Sequence, residues 1–174
     1  SPTLTGVFAP EAFGHSQEAD TWMRNRSKAK ELYEKQIRVG NDLATIANNP
    51  AIFQNGEEST GAWGSYFFDE EGWLAEKQIL VEKGYLKPPM TDMTSAFRLG
   101  LPRSSNGKRE DWSHGMYSRQ TNTYFEGGSK TFDELLSEIE DGFLEDKAAP
   151  HERPFAALDL HQLIGQQLVP DHAI

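Results

Sequence analysis

Close to the start of the chain a glutamate and a histidine stand at i and i+4, Glu11 and His15, followed by Glu18 and Trp22. Carboxylates and imidazoles are the side chains that trade protons near neutral pH or hold a divalent metal, so this grouping is the first place to look for chemistry. On a regular helix Glu11, His15, Glu18 and Trp22 share one narrow stripe. The stripe continues through Ala29 and Tyr33, which are apolar, and therefore points inward. The expectation is a helix from Pro10 to about Gln36, with Pro10 at its first position, Glu31 and Lys35 pairing on its outer side, and Glu11, His15 and Trp22 at least partly buried. Ionisable groups aimed inward need partners. A metal or a reacting substrate is one such partner; a capping glutamate beside a hydrogen-bonded core histidine is the other, and spacing leaves both open.

Composition narrows the chemistry. The chain of 174 residues has 37% hydrophobic and 25% charged residues, which suits one domain with a core of its own. It contains no cysteine, so disulfides and cysteine-ligated metals are excluded and His, Asp and Glu remain as metal donors. Net charge is −10, with seven acids between Asp133 and Asp146 and no Lys or Arg among them. A phosphate-binding surface needs the opposite sign, so no direct nucleic-acid partner is expected. No apolar run reaches the ~18 residues of a membrane span and no signal segment opens the chain, so a cytoplasmic location without a membrane partner is expected. Opening at Ser1 without a methionine, the chain reads as a fragment.

The elements follow from local patterns. Residues 1–9 read as a strand or loop, and Asp42 to Ala47 as a short strand before the Asn48-Asn49-Pro50 turn. Ser65 to Phe68, Trp73 to Val81 and Tyr85 to Lys87, separated by the turns Asp69-Glu70-Glu71-Gly72 and Glu82-Lys83-Gly84, predict an antiparallel meander. Met93 to Leu99 reads as a helix capped by Thr91 or Asp92, Pro102 to Asp111 as a polar basic loop, and Met116 to Phe125 as one strand. Thr131 caps a helix from Phe132 to about Phe143, with Glu134 completing a capping box and one face packed on the sheet. The fold class is thus α+β, a long N-terminal helix on a mostly antiparallel sheet with further short helices. Residues 1–146 form the domain; residues 147–174 are a tail in which Phe155 to Leu168 reads as an amphipathic helix.

The run PEAFGHSQEAD at 10–20 resembles the metal-binding segment of the TldD/PmbA family, the modulators of DNA gyrase whose TldD branch are zinc metallopeptidases. GSYFFDEEG (64–72), ILVEKGYLK (79–87), SAFRLG (95–100), SNGKRED (105–111) and RQTNTYF (119–125) follow in the family's order, so the resemblance covers residues 6 to about 143. It implies a metallopeptidase acting on unfolded or modified peptides, with zinc as cofactor, Glu11 as catalytic base and His15 as metal ligand. It also implies Lys108 and Arg109 near the substrate, peptides added as a strand at a sheet edge, and a homodimer or a heterodimer with a paralogue. The family's first zinc ligand is a histidine where this chain has Pro10, and its third is a cysteine, which this chain lacks. Glu18, Asp20 or His114 are the available substitutes; otherwise the chain resembles the non-catalytic, peptide-binding or scaffold PmbA branch. One geometric demand comes with the resemblance: ligands at i and i+5 diverge by about 140° on a regular helix, so positions 10 and 15 meet only at a distorted or a terminal turn, and Pro10 is expected at such a terminus.

Overall fold

The computed structural model describes residues 5–54 and 61–138. A four-stranded antiparallel sheet runs β3 (Tyr85–Leu86), β2 (Gln78–Glu82), β1 (Ile46–Asn48), β6 (Thr123–Phe125), and a separate ribbon pairs β4 (Gly107–Lys108) with β5 (Tyr117–Ser118). The α+β class holds. The long N-terminal helix does not form.

In its place stand a π-helical segment Val7–Gly14, a 3-10 turn His15–Gln17, and two short helices, Ala19–Met23 and Ala29–Glu34. Pro10 is inside the π segment rather than at a helix start. The break at Glu18 has a tertiary cause. Its backbone is extended, φ −78° and ψ 126°, because the chain here docks on Met90: the Met90 N–H donates to the Gln17 carbonyl at 2.7 Å and the Ala19 N–H to the Met90 carbonyl at 2.9 Å. The next helix ends at Asn25, in the left-handed region at φ 53°, which asparagine tolerates better than most residues. Tertiary pairing and a turn residue override the continuous helical pattern.

What survives of the inward stripe is its apolar part. Trp22 is buried, donates from Nε1 to the Ser16 carbonyl at 2.8 Å, and has its ring 5.5 Å from that of Tyr33. With Ala9, Ala29, Ile46, Val81 and Leu86 it forms the core cluster, against which Phe13, Leu32, Tyr33 and Val39 pack.

Of the expected meander only the β2–β3 hairpin forms; β2 pairs on its other side with β1, not with Ser65 to Phe68. Between Ser65 and Leu74 the only strand-like pairing among the described residues is the Phe68–Leu74 bridge, closed by the turn that Gly72 completes. The β2–β3 turn uses Lys83 and Gly84 at φ 49° and 79°, a type I′ geometry. A Cβ on Gly84 would come within 2.1 Å of the Gly40 carbonyl oxygen, so glycine is required twice over.

The strand expected over Met116 to Phe125 is divided between the two sheets. Asn48 explains the division: its Oδ1 accepts from the Thr121 N–H at 2.7 Å and from the Thr121 and Thr123 hydroxyls, holding the chain between β5 and β6 off the ladder. Met93–Leu99 is helical as expected, capped by Asp92 in a box with Ser95 and stopped by Gly100 at φ 64°. The Thr131–Glu134 capping box forms over Phe132–Ser137, yet Leu135 and Leu136 are exposed, so nothing among the described residues covers that face. The helix beyond residue 138 and the one expected at Phe155–Leu168 lie outside the described residues.

The basic loop is no loose turn. Arg103 reaches Asp69 Oδ2 and Glu71 Oε2, both at 2.5 Å, and the Thr91 carbonyl at 2.7 Å, while Asp69 also accepts from the Gly107 N–H at 3.0 Å. Asp69 and Asn106 are buried. This knot fixes where Lys108 emerges.

Candidate metal and peptide site

The π-helical turn meets the geometric demand of the sequence. Bonding from i to i+5 brings residues five apart onto one side, and the His15 N–H donates to the Pro10 carbonyl in this way. Position 10 and His15 are therefore neighbours, with Glu11 between them. His15 Nε2 lies 4.0 Å from Glu11 Oε2.

His15 is anchored from behind. Its Nδ1 bonds Glu18 Oε1 at 3.2 Å, and Glu18 also accepts from the Gln120 N–H at 3.2 Å and from Arg119 Nη1 at 3.3 Å. A carboxylate on one ring nitrogen fixes the ring and makes the other the natural ligand or base, the arrangement common behind metal-bound histidines. Here Nε2 faces the Gln120 side-chain amide at 3.0 Å. The Glu18 hydrogen bond raises the imidazole pKa above its ordinary 6.5, aided by the charges of Glu18 and Glu11 and opposed by partial burial and Arg119. A Cβ on Gly14 would come within 1.9 Å of the Gln120 amide oxygen, so glycine at 14 lets Gln120 close over this turn.

Glu18 and Asp20 are buried and structural in their contacts. Asp20 Oδ1 accepts from Arg119 Nη1 at 2.8 Å and from the Ser118 hydroxyl at 3.0 Å. Arg119 thus ties both carboxylates to β5. Of Glu11, His15 and Trp22, all expected to be at least partly buried, Trp22 is buried; His15 keeps about half of its side-chain surface and Glu11 slightly more, so both face solvent.

The other sequence candidates lie elsewhere. His114 bonds within its own loop, to Asp111 Oδ1 at 2.8 Å. Arg109 is paired with Glu70 at 3.0 Å. Lys108 is half-buried 5.3 Å over the Tyr66 ring, and burial lowers its pKa. Arg119, Ser118 and Gln120 have no local signature in the sequence that marks them as site residues. Their only signal is the motif RQTNTYF, in which a side chain's partners cannot be read.

A zinc site needs about three protein donors. The nitrogen donor here is His15 Nε2, with the Glu11 carboxylate beside it in the place of a base; Pro10 offers none, and Glu18 and Asp20 are committed to Arg119. Among the described residues no group of three His, Cys, Asp or Glu side chains is placed to hold a metal. These residues fit one side of a zinc site, not a whole one.

Comparison with known proteins assigns the chain. The PmbA/TldA metallopeptidase C-terminal domain matches residues 1–149. A metalloprotease of Methanocaldococcus jannaschii is 33% identical over 141 residues, covering 81% of this chain and 29% of that protein. A zinc metalloprotease TldD homologue of Saccharolobus solfataricus is 28% identical over 144 residues, covering 82% and 30%. Among solved structures, a protein described as a modulator of DNA gyrase from Thermotoga maritima superposes with a TM-score of 0.58 at 25% identity, covering 78% of this chain and 27% of that one. The chain spans less than a third of the length of the relatives it matches. No helix among the described residues is long and apolar enough to cross a membrane. The chain belongs to the PmbA/TldD metallopeptidase family, which it matches through that family's C-terminal domain.

Proposed function

We propose that this domain is the metal-side part of a cytoplasmic metallopeptidase acting on unfolded or modified peptides, with His15 as one nitrogen ligand of zinc and Glu11 as the general base. The observation that carries it is the π-helical turn, in which the His15 N–H bonds the Pro10 carbonyl and Glu11 and His15 stand together, exposed, on a buried carboxylate. Zinc supplies a polarised water in such enzymes. What this chain's residues supply is narrower: Glu18 orients the imidazole, and Glu11 offers a solvent-facing carboxylate to a proton beside it. Lys108 and Arg109 belong to the substrate side of this reading, and the outer edge of β6 is where a peptide would add as a strand, since the outer edge of β3 is bridged by Arg38. A like or paralogous subunit is the partner.

A second reading, a non-catalytic peptide-binding or scaffold subunit, is favoured by Pro10, which has no donor, and by the commitment of Glu18 and Asp20 to Arg119. Incubating the full chain with zinc and an unfolded protein, and reading fragments by mass spectrometry, separates the two. Cleavage that disappears in Glu11→Gln supports the peptidase. Binding without fragments supports the scaffold, and the absence of both rejects peptide handling altogether.

A further inference from the structure

The ribbon formed by β4 and β5 carries a group of cations that the metal-side turn does not use. Lys108 is directly opposed to Tyr117 across the ribbon, so the two side chains leave on one face. The Tyr117 ring has Arg24 and Arg119 each 5.1 Å from its centroid, and Lys108 lies over Tyr66. Three cations and two tyrosines therefore gather in one place on a chain of net charge −10.

Their own partners do not satisfy them. Lys108 Nζ has no carboxylate within 4 Å and donates no hydrogen bond among the described residues, although it is half-buried. Arg24 has one ion pair, a long one to Asp20 at 3.9 Å. Arg119 spends Nη1 on Glu18, Asp20 and the Ser118 carbonyl, and its Nε and Nη2 donate to nothing among the described residues. Arg109, the neighbouring cation, is by contrast held by Glu70. Glu70, which holds Arg109, also acts on Lys108 through its charge, so the balance is four positive charges, Arg109 included, against the three carboxylates Glu18, Asp20 and Glu70. A lysine stripped of part of its water and given no acceptor gains most from an anion with which it can make charge-assisted hydrogen bonds.

We infer that Lys108, with Arg24 and Arg119 around Tyr117, is a receiving site for a carboxylate carried by the bound peptide. This rests on the reading that the domain handles peptides, and it narrows that reading to chains presenting a carboxylate at this ribbon. Two sources offer the same group, a peptide's free C-terminus and an acidic side chain. Tyr66 and Tyr117 provide apolar ring surface beside either.

Fluorescence anisotropy on the full chain tests it with three versions of one N-terminally labelled unstructured peptide: free C-terminal acid, C-terminal amide, and amide with one internal glutamate. The acid, the glutamate peptide or both should bind on the order of tenfold tighter than the plain amide, the scale of one charge-assisted hydrogen bond. Whichever does so names the source. Lys108→Met should erase that preference and Lys108→Arg should keep part of it; Arg24→Gln, at an exposed position, should reduce it and serves if Lys108→Met does not fold. Equal binding of all three peptides, or a preference unchanged in both Lys108→Met and Arg24→Gln, overturns the carboxylate site and leaves peptide handling standing. If none of the three binds, peptide handling falls and the carboxylate site falls with it.

Discussion

Residues 10 to 20 divide into two halves with opposite environments. Glu18 and Asp20 keep 5% and 6% of their side-chain surface and are fastened by Arg119, Ser118 and the Gln120 backbone. Glu11 and His15 keep 57% and 53%, and their mutual approach is a loose 4.0 Å. The segment thus does two jobs in one short run. The second half holds the segment in the fold; the first half holds chemical groups out to solvent. Pro10 lies in the exposed half, so a substitution there leaves the fastening of Glu18 and Asp20 to Arg119 in place.

If the division is real, Asp20→Ala should do the greatest damage. It removes two acceptor contacts and leaves Arg119 beside a vacated, mostly buried site, at a cost of about 3 kcal/mol in urea unfolding, toward the lower end for a broken buried pair because Arg119 is partly exposed. Ser118→Ala, which removes one hydroxyl bonded to Asp20, should cost about 1 kcal/mol by the same measurement. A loss at Ser118 as large as at Asp20 would mean that the hydroxyl, not the ion pair, is the fastening.

His15 sits at the boundary between the halves, and pH sharpens its role. Its folded pKa is raised above 6.5 by the Glu18 bond, so the protonated ring's contribution is complete below 6.5 and is lost as pH rises through the raised folded value. Glu11 supports the shift, Arg119 and partial burial oppose it, and the Gln120 amide faces the same ring. The stability gap between the native chain and His15→Gln should therefore be wider at pH 5 than at pH 8. A gap that widens with rising pH would reverse the assignment of Glu18 as the ring's main partner. The smallest effect is expected at Glu11: Glu11→Gln should change stability by no more than about 0.5 kcal/mol, as for other exposed positions.

Some of this was legible in the sequence. The Asp92 and Thr131 caps, the helix Met93–Leu99 and the β2–β3 turn follow from local rules that tertiary structure did not override. The interrupted N-terminal helix was not legible, since the cause of the break is Met90, far along the chain, pairing with Gln17 and Ala19. The mismatch between a five-residue spacing and a regular helix leaves open a distorted or a terminal turn, with Pro10 expected at a terminus; the structure instead has the distortion, a π turn with Pro10 inside it. Arg119 as the clamp on two carboxylates is a long-range fact with no periodicity to announce it. For the same reason the pair Lys108 and Arg109, alike in sequence, separates only in three dimensions, one cation held by Glu70 and the other lying over a tyrosine ring.

In the proposed reading the exposed half is one side of a zinc site lacking a donor at position 10. Zinc affinity of Pro10→His, measured by competition with a chelator, tests it most directly. An imbalance of one ligand predicts a rise on the order of tenfold or more over the native chain, abolished when His15→Ala is added and kept when Glu11→Gln is added. A rise no larger than that given by Lys28→His, which places a histidine away from the π turn, would contradict it.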